Sequence, residues 1–521
     1  MSAPPRHLGD FDLAVVGSGC AGSVLARAVK NAGRRVLLVE RGRHPRFAIG
    51  ESSTPLAALA LERLAERWEM PDLRDLAAYG RWRARLPHLR RGLKRGFTFY
   101  RHERGLPFRN DIGNEHRLLV AASPDDEVAD AHWLRADVDH HLVTAAEAAG
   151  VCYRDRLALD GCEIGDDGVR LAGAGEDGRV TARAAFVVDA SGPGGFLAQA
   201  LGIAAGEPPV PLDTGLLFAH VTMPRTFVEA AVAGGARMDA GPYPDDRAAV
   251  HHLLAEGWTY VLPFDHGVAS IGFLIEGPPA AADLDPARDP TAAWRQLLAH
   301  YPTLQAQLGD ADFVIGPRWV PRVPHRLARA AGERWALLPH AFAFTDPLFS
   351  TGLAQSFLAI ERLAAHLVDG DGTFEEYGGL LAREADQVQR LVALAYAARG
   401  DMRAFIAVTF LYFTTVSFEE VRQRLLPPPA GRSWCWQGFL GAGDPALEAT
   451  FADAAAHLAD GPEPFAAWIE QQIEPRNVVG LADPARRNLY PVDLDALVAA
   501  APRLGLTREE MEAALPRLRG R

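Results

Sequence analysis

Lys30 and Lys94 are the lysines of a 521-residue chain whose other basic side chains are all arginine. A lysine kept where arginine serves everywhere else points to chemistry that needs an amine. Its pKa can be tuned and it is a nucleophile when neutral, which a guanidinium is not. Lys94 lies in Leu93-Lys94-Arg95-Gly96-Phe97-Thr98-Phe99, beside a basic run from Arg81 to Arg104, so the competing reading is one more solvated base. A second pattern carries different chemistry. The apolar run Phe11 to Val16 ends in Gly17-Ser18-Gly19-Cys20-Ala21-Gly22, a helical stretch Val24 to Asn31 follows, and a second apolar run, Arg35 to Val39, closes on Glu40 and Arg41. Strand, glycine turn, helix, strand and acid make a dinucleotide site. Gly17 makes the turn, Gly19 lets the backbone approach a pyrophosphate, and the helix N-terminus at Cys20, Ala21 and Gly22 faces the anion. Glu40 stands at the distance of a ribose-binding acid.

Further segments sharpen this. Arg135 and Asp139 precede a helical stretch, and Phe186-Val187-Val188-Asp189-Ala190-Ser191-Gly192 is a strand ending in an acid and a glycine. Both resemble the second and third FAD signatures of the flavin monooxygenase superfamily. Gly50-Glu51-Ser52-Ser53-Thr54-Pro55, Gly257-Trp258-Thr259-Tyr260-Val261-Leu262-Pro263 and Asp346-Pro347-Leu348-Phe349-Ser350-Thr351-Gly352-Leu353 resemble motifs of the flavin-dependent halogenases: a GES segment ending in proline, WxWxIP, and a proline-containing segment ending in STG. The resemblance runs from about Asp10 to Leu367 and is specific chiefly in the GES and STG segments.

That resemblance implies a reaction. Reduced FAD, oxygen and chloride or bromide yield hypohalous acid, which passes to Lys94 as catalytic residue and then to an electron-rich aromatic carbon. Halide would rest on the backbone amides of Thr351 and Gly352 at a helix start, where positive potential is available; the same amides would otherwise cap the helix or meet the flavin ring. Glu51 and Ser52 would wall a passage from flavin to lysine, Asp346, Gly352 and Leu353 would complete the cofactor site, and Trp258, Tyr260, Pro263 and Phe349 would line the substrate pocket. Two departures matter. Tyr260 replaces the second tryptophan of WxWxIP, and Phe349 stands where tryptophan halogenases carry a glutamate before STG, which argues against free tryptophan as substrate. A monooxygenase or other flavin oxidoreductase on the same scaffold is the alternative; a flavin-binding interaction protein is more distant. No second glycine fingerprint for a nicotinamide is found, so a partner flavin reductase is expected to supply reduced FAD.

The elements that must position these residues form an α/β chain. The expected organisation is a Rossmann-like FAD-binding domain over 1–209 with a return segment over 318–367, an inserted β-sheet substrate layer over 210–317, and a helical C-terminal region over 368–521. Strands are predicted over Val250 to Leu254, Thr259 to Phe264 and Val268 to Ile275, and helices over Ala354 to Leu367 and Glu384 to Gly400. Ala404 to Phe418 is the most apolar stretch and reads as a buried helix. Pro427-Pro428-Pro429-Ala430-Gly431 breaks the helical block. Trp434 and Trp436 beyond it read as packing. His251 and His252 are adjacent in a strand and point to opposite faces, so they cannot share a metal. Net charge of −12 argues against nucleic acid and anionic membrane as partners. The partners expected are a small aromatic substrate, free or carrier-tethered, and the reductase. Cys20, Cys152, Cys162 and Cys435 show no metal or disulfide spacing, and the N-terminus lacks a signal-peptide core, so a cytoplasmic protein is expected.

Overall fold

The computed structural model describes residues 4–176, 178–193, 195–279, 283–429 and 433–519. Ala430 and Gly431 of the proline break lie outside them. The nucleotide unit forms as the pattern predicts, with the first strand starting earlier, at Arg6 rather than Phe11. Strand Arg6–Val16 lies between Val36–Val39 and Gly178–Asp189, all parallel, and Cys152–Arg154 and Trp335–Leu337 extend the sheet on its two sides. The central strand segments are apolar on both faces because helices cover them, which is what buried parallel strands require. Helix Cys20–Asn31 returns across the sheet. Only glycine can make the turn between: Gly17 has φ +102°, and a Cβ there would stand 2.6 Å from the Ala190 carbonyl oxygen.

The three strands predicted in the middle of the chain are Ala249–Leu253, Gly257–Pro263 and Val268–Glu276, joined as an antiparallel meander. Their sheet takes strands from beyond 210–317 on both sides. Gly96–Arg101 pairs in parallel with Ala249–Leu253, Arg117–Ala121 follows it, Leu489–Tyr490 closes one edge, and Phe313–Val320 closes the other. Strand Arg91–Lys94 pairs with Asp130–Trp133 in a separate two-stranded ladder that sets Lys94 opposite Asp130.

Helices Thr351–Asp369, Phe374–Ala398 and Met402–Leu425 form the block read from the 3.6-residue period. Met402–Leu425 is long and apolar enough to cross a bilayer, but 83% of its most apolar stretch is buried against the rest of the chain, as befits a core helix. Within this block Arg362 and Glu384 form a fully buried ion pair, Nη1 and Nη2 donating to the carboxylate at 3.0 and 2.6 Å. The remaining donors of Arg362 reach the Cys435 and Gln437 carbonyls, and the Phe439 amide donates to Glu384 at 2.8 Å. The pair thus ties the Trp434–Trp436 turn to the helices. Glu384→Ala leaves a guanidinium buried without its counter-charge, a change that costs about 3–5 kcal/mol. A large drop in the denaturant midpoint followed by tryptophan fluorescence is expected; an unchanged midpoint contradicts this account of the tail.

Candidate functional site

Two cavities lie on either side of the Ser52–Thr54 backbone, to which Lys94 is hydrogen-bonded without lining either one. The first, of about 420 Å³, runs from the glycine turn at Gly19, Cys20, Ala21 and Gly22 to the start of the Thr351–Asp369 helix at Ser350, Gly352 and Leu353. Two helix N-termini therefore face one space, and each leaves its first amides without an intrahelical acceptor. Two cations stand at the glycine end. A Cβ on Gly19 would lie 3.7 Å from Arg46 Nη2 and 3.8 Å from Arg135 Nη2, with no contact close enough to clash. Arg135 is locked by Asp139, which accepts from Nε and Nη2 at 2.8 and 3.0 Å, and by the Ile49 and Gly50 carbonyls at 2.9 and 3.2 Å. Asp139 is fully buried, so this is no surface ion pair. The Cys20 thiol is pushed up to about 11 by burial and stays neutral beside an anion. Open backbone at Gly19, two arginines and helix amides at both ends fit the pyrophosphate and ring of FAD.

Three of the acids named from the sequence, Glu40, Asp189 and Asp346, stand behind this cavity rather than on its wall. Glu40 accepts from the Ser18 amide at 3.2 Å, the Ser18 hydroxyl at 3.1 Å, the Gly42 amide at 2.9 Å and Arg46 at 3.3 Å. Burial opposes its charge, but these donors hold its carboxyl below the usual range. It therefore fixes the turn and orients Arg46, while Arg41 is exposed. Asp189 accepts from the Ser191 and Leu197 amides at 2.8 and 2.7 Å and shapes the Ala190–Pro193 wall. Asp346 accepts from the Leu348 amide and the Tyr396 hydroxyl, both at 2.9 Å, and Tyr396 accepts from Trp258 Nε1 at 2.9 Å. Burial pushes Asp346 up to about 7, against those hydrogen bonds.

At the other end, Phe349 and Ser350 both take left-handed backbone, with φ 66° and 54°, and this reversal launches the helix. Thr351 is buried, and its neighbours Ser350 and Gly352 line the cavity. Gly352 admits no side chain, since a Cβ would meet His340 Nε2 at 2.7 Å. The GES and STG segments touch directly. Ser350 Oγ donates to Ser52 Oγ at 3.0 Å, and Glu51, also on the wall, pairs with His220 at 3.3 Å.

Lys94 lies one residue past this contact. It is fully buried, which overturns its reading as a solvated base. Its Nζ donates to the Ser53 carbonyl at 2.6 Å and sits 3.9 Å from the centre of the Phe97 ring. Burial pulls its pKa down to about 7, with Asp130 acting in the opposite direction. Ser52 lines the first cavity, while Thr54 and Phe97 line a second of about 440 Å³, so the Ser52-Ser53-Thr54 backbone is the partition between them. This second cavity is walled by Val120, Tyr412, Phe413, Val416, Tyr490 and Leu494, and its charged lining residues are Asp125, Glu420 and Asp493, with no lysine or arginine among the described residues.

The substrate residues named from the sequence fall elsewhere. Trp258, Tyr260 and Leu262 share one face of their strand and line the first cavity. Strand alternation turns Pro263 to the opposite face, against a shallow cleft with Tyr79 and Asp265. Phe349 lines neither cavity; it stacks behind Tyr412 with ring centres 4.8 Å apart. His251 stacks on Phe99 at 4.7 Å while His252 bonds His102 at 2.9 Å, so the two do occupy opposite faces. No group of three metal-binding side chains occurs among the described residues.

Residues 15–55, which hold the turn and Glu40, match the family model described as an NAD(P)-binding Rossmann-like domain. The chain is 30% identical to tetracycline 7-halogenase of Kitasatospora aureofaciens, over 71% of this chain and 67% of that protein. It is 28% identical to monodechloroaminopyrrolnitrin halogenase PrnC of Pseudomonas fluorescens, over 76% of this chain and 70% of that one. The crystal structure of halogenase PltM with phloroglucinol and FAD superimposes with a TM-score of 0.80 at 25% identity, over 92% of this chain and 99% of that one. With a dinucleotide cradle, GES and STG segments in contact and a buried lysine beside them, the chain belongs to the flavin-dependent halogenases and is an FAD-dependent oxidoreductase.

Proposed function

We propose that this protein halogenates a free, uncharged, electron-rich arene held in the 440 Å³ cavity, and that Lys94 carries the halogen to it from the cofactor side. The observation that carries this reading is the place of Lys94, buried at the partition between a cavity suited to FAD and an apolar one. When bound and reduced, FAD would supply hypohalous acid from oxygen and halide. The turn at Gly19, with Arg46 and Arg135, would hold the pyrophosphate, and the amides of Thr351 and Gly352 would receive the halide. Glu51 and Ser52 would line the way to Lys94. In this arrangement the parallel-sheet layer, 1–209 with 318–367, and the strand face of 210–317 that carries Trp258 and Tyr260 serve the cofactor, while residues 54–128 and the tail over 368–521 enclose the substrate.

Of the acids lining the second cavity, Glu420 and Asp493 are ion-paired with Arg424 and Arg486, and no cation occurs among the described lining residues, so the wall offers a carboxylate substrate no counter-charge and supports an uncharged or cationic arene. The names of the two curated relatives point to aromatic substrates for those proteins. All four cysteines are free thiols, in keeping with a cytoplasmic setting. There a separate flavin reductase would supply reduced FAD. The protein alone is expected to oxidise NADPH far more slowly than about 1 per second; steady oxidation above that rate rejects the reductase requirement.

A crystal structure with FAD and a phenol tests the reading. The flavin should lie along Gly19 and Gly352, and the phenol against Phe97 and Tyr412, with Lys94 between. A phenol stacked directly on the flavin ring, beside Trp258 and Tyr260, favours direct oxygen transfer and overturns it.

A further inference from the structure

The ladder that carries Lys94 also carries an acid. In the antiparallel pairing of Arg91–Lys94 with Asp130–Trp133, Lys94 stands directly opposite Asp130. Residues opposite one another in such a ladder project to the same face with Cβ atoms about 4.5–5.5 Å apart. Both side chains are buried, Lys94 at 0% and Asp130 at 1% exposure, so water screens neither from the other. A buried acid opposite the amine that must react is a placement with chemical consequences.

The other titratable groups around the pair are uncharged near neutral pH. His132, two residues along the same strand, and His251, from the neighbouring sheet, are both pulled down to about 3, chiefly by burial and then by the charge of Lys94. Tyr412, from the long apolar helix, is pushed up by burial and by the charge of Asp130. The remaining contacts of the amine are the Ser53 carbonyl and the Phe97 ring. Among the groups facing Lys94, Asp130 is therefore the source of negative charge.

We propose that Asp130 is a positioning residue for Lys94: across the ladder its carboxylate holds the amine at the partition between the two cavities and sets the pH at which that amine gives up its proton. Tyr412, which lines the second cavity, senses the same carboxylate. The glutamate that tryptophan halogenases place before STG is Phe349 here, and Asp130 stands opposite the lysine on the neighbouring strand. The catalytic meaning of this pair rests on the proposed role of Lys94; its existence does not.

Lys30 and Lys94 carry the side-chain amines, so the N-carbamylation of each by cyanate can be followed against pH by peptide mass spectrometry without flavin or halide. The neutral amine adds to the carbon of isocyanic acid, and the wild-type Lys94 profile should have its midpoint near 7. In Asp130→Asn the midpoint should fall by about one unit or more, the size of shift that an opposite charge at close range produces, while Lys30 stays unchanged. A Lys94 midpoint that does not move overturns the proposal. If the Asn variant does not fold, Asp130→Glu makes the same test: moving the carboxylate by one methylene should displace the Lys94 midpoint, and an unmoved midpoint again overturns it. Should halogenation itself fail while these profiles shift, the pair stands and the reading of Lys94 as halogen carrier falls.

Discussion

Lys94→Ala should lower halogenated product by about a hundredfold or more, while FAD binding and oxygen consumption by reduced flavin persist. Cofactor binding uses Gly19, Arg46, Arg135 and the Ser350–Leu353 turn, none of which bonds to Lys94. The amine is needed only once hypohalous acid has formed. Lys94→Met, which fills the space without an amine, should fail equally. Lys94→Arg should fail as well, because a guanidinium retains charge but is a poor nucleophile. The pH dependence has a definite sign. Burial brings the amine to about 7, so the neutral, nucleophilic form grows as pH rises through that value. Product formation should climb between about pH 6 and 8, whereas a role for the protonated amine as hydrogen-bond donor predicts a fall over the same range. Product yield that survives in the alanine variant removes the lysine from the chemistry.

Gly19→Val should bring FAD binding below detection while the protein stays folded. The cradle distinguishes its glycines. A Cβ at Gly22 would lie 2.0 Å from the Gly17 carbonyl oxygen, so substitution there breaks the turn itself. At Gly19 the nearest atoms are the side-chain ends of Arg46, Arg135 and Asp139 at 3.7–3.8 Å, and φ is −62°, so a valine is accommodated by the chain. It occupies the space a pyrophosphate needs. Quenching of flavin fluorescence reads binding and far-ultraviolet circular dichroism reads the fold. Flavin retention with an intact spectrum moves the cofactor away from this turn.

Local patterns made the cofactor side legible. The glycine spacing, Glu40, Asp189 and the GES and STG segments each declare themselves over a few residues, and the rarity of lysine singles out Lys94 without any structure. Which of these residues touch the cavity was not legible, because Glu40, Asp189 and Asp346 spend their oxygens on nearby backbone and side-chain donors instead. Arg46 was missed, although it lies six residues after Glu40, because one more arginine among so many carries no signal. The cavity proposed for the substrate was hidden for a different reason. Its walls come from Thr54, Phe97, Val120, Tyr412, Val416 and Tyr490, and nothing in the helical period of 404–418 tells Tyr412 and Val416, which face an opening, from neighbours that face the core. Trp258 and Tyr260, read as substrate residues, line the cavity with the glycine turn, because a strand fixes which residues share a face but not what that face meets. Alternation could have separated Pro263 from them.

The central claim is halogen transfer through Lys94, and the mass of the product tests it most directly. Chemically reduced FAD, oxygen and an uncharged phenol should give no new product without halide, a chlorinated product in chloride, and in bromide a product with the paired isotope peaks of bromine. Both halogenated products should depend on Lys94. A product heavier by one oxygen atom, formed equally with and without halide and retained in Lys94→Met, contradicts the account and makes the protein a hydroxylase on the same fold.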